Sequence, residues 1–361
     1  MLPLIENLSI KNKLIIGIIT PLLLTFTVII ILTYRSNYNS IIKYSQSVSI
    51  KEVNKISKVF TNYTLVVNTI KNAFNNKDFI NIDQKRTFFN LFLKDILETN
   101  TNLFGIWATF EKDKFDGLDK KFIGNKHSTL TGNFSPYWIR RDGNIIQIQS
   151  NDVDKNSSDF DFYNIPFKTQ KLYVTNPYID PDTKILMTSI SNPVIENNET
   201  IGVVGVDFSL NELSDIVNSI KPFDGSFAFI ANNIGKLVIY KNFDLIGKNI
   251  KDIPNFLDDN SYNILLKNLN TNKSFQTEIE TANGDYLVFS SRILIEKNKL
   301  DWNLIFFVPK DKLLTDLYVI MWIMVGILII LIFIIWFIAE NISKSILKTF
   351  IRIKQLSEGV F

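Results

Sequence analysis

The segment YVTNPYIDPDTK, Tyr173 to Lys184, holds a phenol and a carboxylate two residues apart. Successive side chains of an extended chain alternate between faces, so Tyr178 and Asp180 point the same way. A hydroxyl and a carboxylate on one face suit the binding of a small polar group. Plainer roles stay open beside this one: Asp180 as the residue that starts the turn into PDTK, and Tyr178 as core packing. Catalysis is not expected. The chain has no cysteine, which removes disulfide frameworks, zinc knuckles and thiol chemistry. Its single histidine, His127, lies in the loop-like stretch GNKHSTLTG and reads as solvated surface. No nucleophile elbow, phosphate loop or paired-carboxylate signature occurs, and neither a metal nor a cofactor is expected. Gly202 and Gly205 in IGVVGV lack the strand, turn and helix context of a nucleotide loop.

The elements that must position such a pair follow from the rest of the 361 residues. Apolar residues make up 46% and charged residues 21%, a globular or membrane-linked balance. A net charge of +3 with interspersed Lys and Asp offers no nucleic-acid footprint. Two apolar runs, Leu14 to Tyr34 and Leu317 to Ala339, each have the roughly 20 uncharged residues needed to cross a hydrocarbon core of about 30 Å. The first is too long for a signal peptide and lacks a cleavage pattern, so it reads as an anchor. Lys11 and Lys13 precede it, and Lys344, Lys348, Arg352 and Lys354 follow the second run, which places both termini on the cytoplasmic side. The chain is therefore expected to cross a membrane twice, with Arg35 to Asp316 outside it. After the second span, Ile342, Ile346, Phe350, Ile353 and Leu356 continue a helical stripe. The stop at Phe361 reads as a fragment whose cytoplasmic output is missing.

Outside the membrane, Arg35 to about Asn75 lacks proline and glycine. Val53, Ile56, Phe60, Tyr63, Val67, Ile70 and Phe74 step by three and four, a heptad-like seam. It fits a helix lying on its own domain, and alternatively one whose seam also meets a second copy, giving a homodimer. Beyond a mixed region to about Thr101, short strands are predicted at Leu103 to Glu111, Tyr137 to Ile148 with a turn at Asp142-Gly143, Tyr173 to Ile179, Lys184 to Ile195 and Thr200 to Phe208. A short helix begins at SLNE, a capping box formed by Ser209 and Glu212. Hairpins at Gly225 to Tyr240 and Ser274 to Leu294, then a strand at Asp301 to Pro309, form a second set.

The order PYID, TSISNPV, GVVGVDFSL, together with FSPYWIRRDGNI and FAFIANNIGKLVIY, resembles a double Cache sensor of a bacterial methyl-accepting chemotaxis receptor. The tail resembles the start of a HAMP linker, departing from it at Thr349, where proline is common. The fold expected is α+β: a long N-terminal helix carrying two PAS-like modules between two transmembrane helices. Its divisions are a cytoplasmic start at 1–13, a span at 14–34, a helix and connection at 35–101, a distal module at 102–210, a connecting helix at 211–221, a proximal module at 222–310, a span at 317–339 and a linker at 340–361.

The resemblance also implies a site. In amino-acid-sensing relatives the distal pocket holds the ligand's ammonium through positions matched here by Tyr178, Asp180 and Asp207. Where those relatives clamp the carboxylate with a basic residue and a tryptophan before a tyrosine, this chain has Phe160 and Phe162 followed by Tyr163. Two buried carboxylates facing one cavity favour a positive guest, and an aromatic wall adds about 0.5 to 2 kcal/mol toward a cation. The expected ligand is therefore an amine or an unusual amino acid. Phe160 and Phe162 fit an ordinary core pair equally well, and Trp138 is assigned to the pocket border with Tyr137. The expected partners are this ligand, the bilayer and a second copy, with no nucleic acid. The sensory half of a histidine kinase or nucleotide cyclase, and a module recognising a periplasmic binding protein, are the competing functions.

Overall fold

The computed structural model describes residues 10–271, 273–295 and 298–357. They divide into two compact units, 1–46 with 310–361, and 47–309.

The first unit contains the start of helix α1 (Ile10–Asn75) and helix α6 (Lys310–Ser357). Both helices are long and apolar enough to cross a membrane. Lys11 pairs with Glu340 and lies 4.9 Å from the ring of Trp336, so the two basic flanks predicted to face the same side come together. The first apolar run and the heptad seam form one unbroken helix.

In the second unit the seam of α1 is wholly consumed: Val53, Ile56, Phe60, Tyr63, Val67, Ile70 and Phe74 are all buried within this chain. The expectation that part of it meets a second copy is therefore corrected. The apolar face already has its partners within this chain. Helix α2 (Ile82–Thr99) occupies what read as a mixed region. Asn81 caps it by accepting from the Asp83 backbone N–H, and Phe89, Leu93 and Leu97 bury one stripe of it. Phe89 stacks on Phe74 at 4.4 Å, which ties α2 to α1.

The distal sheet has seven strands: β1 (Gly105–Phe110), β2 (Pro136–Arg141), β3 (Asn144–Gln149), β4 (Tyr173–Val174), β5 (Tyr178–Ile179), β6 (Leu186–Glu196) and β7 (Glu199–Phe208). Their order is β3-β2-β1-β7-β6-β4, with β5 also on β6, and every pairing is antiparallel. The β2–β3 turn is the predicted Asp142-Gly143, with both residues at positive φ as a type I′ turn requires. Helix α3 (Asp161–Thr169) covers one face. The loop between β1 and β2 is held by Arg86, buried and bidentate to Asp116, with further bonds to Asp119, Ser128 and the Gly132 carbonyl. His127 packs half-buried beside Phe122 and Phe134 in this cluster, not as solvated surface, and burial lowers its pKa.

Helix α4 (Leu210–Asn218), capped by the Ser209 hydroxyl, leads to the proximal sheet. The Glu212 side chain of the predicted capping box lies outside the described residues. Strands β8 (Phe227–Asn232), β9 (Leu237–Ile239), β10 (Phe275–Thr281), β11 (Gly284–Ile295) and β12 (Asn298–Pro309) run antiparallel in the order β10-β11-β12-β8-β9, with helix α5 (Asp259–Leu269) against them. In both sheets the opening strand pairs with the closing one.

Candidate ligand-binding site

Asp207 sits near the end of β7, opposite Gly105 on β1 and Ser189 on β6. A side chain at position 105 would be impossible without rearrangement, because a Cβ there would stand 2.7 Å from Asp207 Oδ2. Gly205 is required for the same kind of reason: a Cβ would stand 2.3 Å from the Trp107 indole, which lies flat over that backbone. The two glycines let the carboxylate and the indole meet. Trp107 Nε1 donates to Asp207 Oδ1 at 3.0 Å, Ser189 Oγ donates to the same oxygen at 2.5 Å, and the Tyr137 hydroxyl is a third partner.

Tyr178, on β5, donates from its hydroxyl to Ser189 Oγ at 2.8 Å and so extends this chain to the loop. Asp180 is buried, with Oδ2 accepting from the Thr183 backbone N–H and hydroxyl, both at 2.7 Å. It therefore does start the turn, and it also lines the cavity. Asp182 follows, accepting from the Asn151 backbone N–H at 3.2 Å and from its side-chain amide at 2.5 Å. Phe162 closes the aromatic side: its ring stacks on Tyr178 at 5.6 Å and meets Trp107 edge-on at 5.1 Å, with Phe160 5.9 Å away.

Burial governs the electrostatics. Asp207, fully enclosed, has its pKa pushed up to about 7, first by loss of hydration and then by the charge of Asp180, against the pull of its hydrogen bonds. Asp180 is raised by burial and held back by Thr183. Asp182 is raised by burial and by Asp180. Burial and the neighbouring carboxylates also push the Tyr137 and Tyr178 phenols well up, so both stay protonated donors. Among the described residues that line the cavity, three are carboxylates and none is basic. The space itself is about 20 Å³, which holds about one water. A larger guest must displace the Phe160 and Phe162 wall or the 178–184 loop.

The structure thus brings Tyr178, Asp180, Asp207, Phe160 and Phe162 together around one cavity and leaves two assigned residues out. Trp138 lies on the opposite face of β2, donating from Nε1 to the Asn90 backbone carbonyl at 3.1 Å and side-chain oxygen at 2.9 Å on α2. Alternation along a strand allows only one of two neighbours into the cavity, and Tyr137 takes that place. Tyr163 is buried in the cluster behind the wall with Ile139 and Val203, its hydroxyl donating to Glu111 at 2.7 Å. Sequence reading missed Trp107, Ser189 and Asp182. The period-two continuation from Asp180 to Asp182 was a usable signal for the last, whereas Trp107 and Ser189 reach Asp207 only through sheet pairing.

Residues 89–215 match the family model described as methyl-accepting chemotaxis protein-like, first PDC sensor domain. The methyl-accepting chemotaxis protein PscA of Pseudomonas syringae pv. tomato is 39% identical over 80 residues, 22% of this chain and 13% of that protein. The match thus spans a small part of the relative's length. Among solved structures, the extracellular domain of mmHK1S-Z2, described as a candidate histidine kinase, superposes with a TM-score of 0.65 at 25% identity, covering 76% of this chain and 99% of that one. The periplasmic sensory domain of the Campylobacter jejuni chemoreceptor Tlp1 superposes with a TM-score of 0.60 at 15% identity, covering 76% and 98%, a likeness of fold. The chain has the fold of a double Cache sensor, and its residues 89–215 match the model of the first PDC sensor domain of methyl-accepting chemotaxis protein-like receptors.

Proposed function

We propose that the chain is the sensing part of a two-pass inner-membrane chemoreceptor that binds a small cationic amine in its distal module, residues 102–210, and passes the signal across the membrane. The family match over 89–215 and the two apolar helices support the receptor role. The observation that carries the ligand class is the lining: Asp180, Asp182 and Asp207 with no basic residue, beside Trp107, Phe162 and Tyr178. A standard α-amino acid would bring its carboxylate into this field unpaired, at a cost that removes most of the gain from its ammonium. Ammonium hydrogen bonds to such carboxylates contribute about 1.5 to 3 kcal/mol each. Titration calorimetry on the full chain in lipid nanodiscs tests the reading with ethylamine, phenethylamine, L-alanine and acetate. Binding of the amines above the other two, weakened at least tenfold by Asp207→Asn, supports it. Tighter binding of acetate or alanine, or an unchanged amine affinity in Asp207→Asn, would overturn it.

The competing reading, the sensory input of a membrane histidine kinase, shares its fold with mmHK1S-Z2, whereas the family model and the curated relatives are chemotaxis receptors. The coding sequence downstream of Phe361 separates the two: a heptad hairpin with methylation sites supports the chemoreceptor, and an ATP-binding kinase core supports the alternative.

A further inference from the structure

Trp302 lies on β12, the strand that runs in sequence straight into α6. Its indole is buried and meets the distal module on one side and helix α1 on the other. On one side Trp302 Nε1 donates to the Asn176 side-chain oxygen at 3.0 Å. Asn176 belongs to the short loop between β4 and β5, directly before Tyr178, and its neighbour Thr175 accepts from the Ser189 backbone N–H at 2.9 Å. On the other side the Trp302 ring meets Phe60 of α1 edge-on at 5.4 Å, and Phe60 meets Phe208 in the same way at 5.3 Å. Phe208 is the residue after Asp207, and Tyr63 stacks on it at 5.0 Å.

The two walls of the candidate site therefore converge on one side chain outside it. The Tyr178 wall arrives through Asn176, and the Asp207 wall through Phe208 and Phe60. Ser189 joins the two walls inside the site, accepting from Tyr178 and donating to Asp207. Any guest that separates Tyr178 from Ser189, or draws Asp207 away from it, must change the load on both arms. The aromatic arm is close-packed and passes displacement without slack, while the polar arm is one hydrogen bond to an exposed loop residue.

We propose that Trp302 is the positioning residue through which occupancy of the distal site reaches β12, with the Asn176–Trp302 hydrogen bond as the separable link. The inference takes the cavity as a binding site from the reading above but does not depend on the guest being an amine. Contact along a chain of residues transmits a change only where both ends respond together, so both ends are read.

The experiment is hydrogen–deuterium exchange on the full chain in nanodiscs, following peptides that cover 175–184 and 302–309. In the wild type, ethylamine slows exchange in 175–184 and alters it in 302–309. In Asn176→Ala, whose side chain is exposed and whose loss leaves the fold intact, 175–184 still responds and the response of 302–309 falls by at least half. Trp302→Phe, which keeps an aromatic ring beside Phe60 and removes the N–H, gives the same result. A 302–309 response that persists in full in both variants overturns the proposal. If ethylamine leaves 175–184 unchanged in the wild type, the amine reading has failed and the link is read with Asp207→Asn in place of ligand. That substitution then alters exchange in 302–309 with Asn176 present and not with Asn176→Ala, and an equal change in both backgrounds overturns the link.

Discussion

The distal and proximal modules open and close their sheets in the same way, yet the paired ends of those strands carry buried polar groups in one and stacked aromatic rings in the other. In the distal sheet the first residue of the opening strand, Gly105, faces Asp207 near the end of the closing strand. In the proximal sheet the first residue of the opening strand, Phe227, faces Phe307, and the two rings stack at 5.1 Å. Phe256 and Phe229 pack onto Phe307 at 5.0 and 5.7 Å, so this pairing is enclosed by rings and not by polar donors. A shared backbone arrangement thus serves recognition or stability according to a few paired side chains. The distal module carries buried carboxylates whose desolvation opposes folding, and the proximal module carries apolar area whose burial favours it.

Five changes break or sharpen this contrast. Phe307→Ala empties the proximal core and is expected to cost about 3 to 5 kcal/mol in a denaturant melt of the full chain, with amine affinity of the folded fraction unchanged. Asp207→Asn acts oppositely. Because its folded pKa of about 7 lies above the unstructured 3.8, the native chain holds the extra proton between these values, so stability falls as pH rises from about 4 to about 7. The loss above pH 7 is on the order of 4 kcal/mol, and the difference between wild type and Asp207→Asn melts across this range isolates it. An unchanged pH profile in the variant would show that Asp207 is not the strained carboxyl.

Gly105→Ala tests the space rather than the charge. The new methyl group meets a carboxylate fixed by three donors, so about 1 to 3 kcal/mol of overpacking is expected together with loss of amine binding. Ala228→Gly in the proximal sheet, by comparison, should leave binding intact. The smallest effect belongs to Trp138→Phe. It removes the hydrogen bonds to Asn90 at a cost of about 1 kcal/mol and leaves amine affinity as it was, since the indole faces α2. A weakened affinity would return Trp138 to the site.

Much of the molecule was legible before its structure. The two apolar runs, the heptad seam, the Asp142-Gly143 turn and most strands follow from local periodicity, which needs no partner to be read. Helix α2 escaped because its apolar residues spread over more than one face, with Ile82, Phe88 and Leu91 exposed beside buried Phe89, Leu93 and Leu97, and helices α3 and α5 escaped because they are short and carry few apolar residues on one face. His127 escaped because its loop is folded over by Arg86, Phe122 and Phe134 from distant parts of the chain.

The site divides along the same line. Sequence by itself determined that Tyr178 and Asp180 share a face, that cysteine chemistry is absent, and that positions 160 and 162 are both phenylalanine. Tertiary structure alone decided that Tyr137 and not Trp138 enters the cavity, that Tyr163 lies behind its wall, and that Ser189 and Trp107 hold Asp207. The contacts of Trp107 and Ser189 with Asp207 depend on the register of β1 and β6 against β7, the entry of Tyr137 on that of β2 against β1, and the place of Tyr163 on how α3 packs. A shift of one residue in any of these pairings would turn every side chain to the other face. Such register is fixed by the packing of whole faces, so it cannot be read from any one segment.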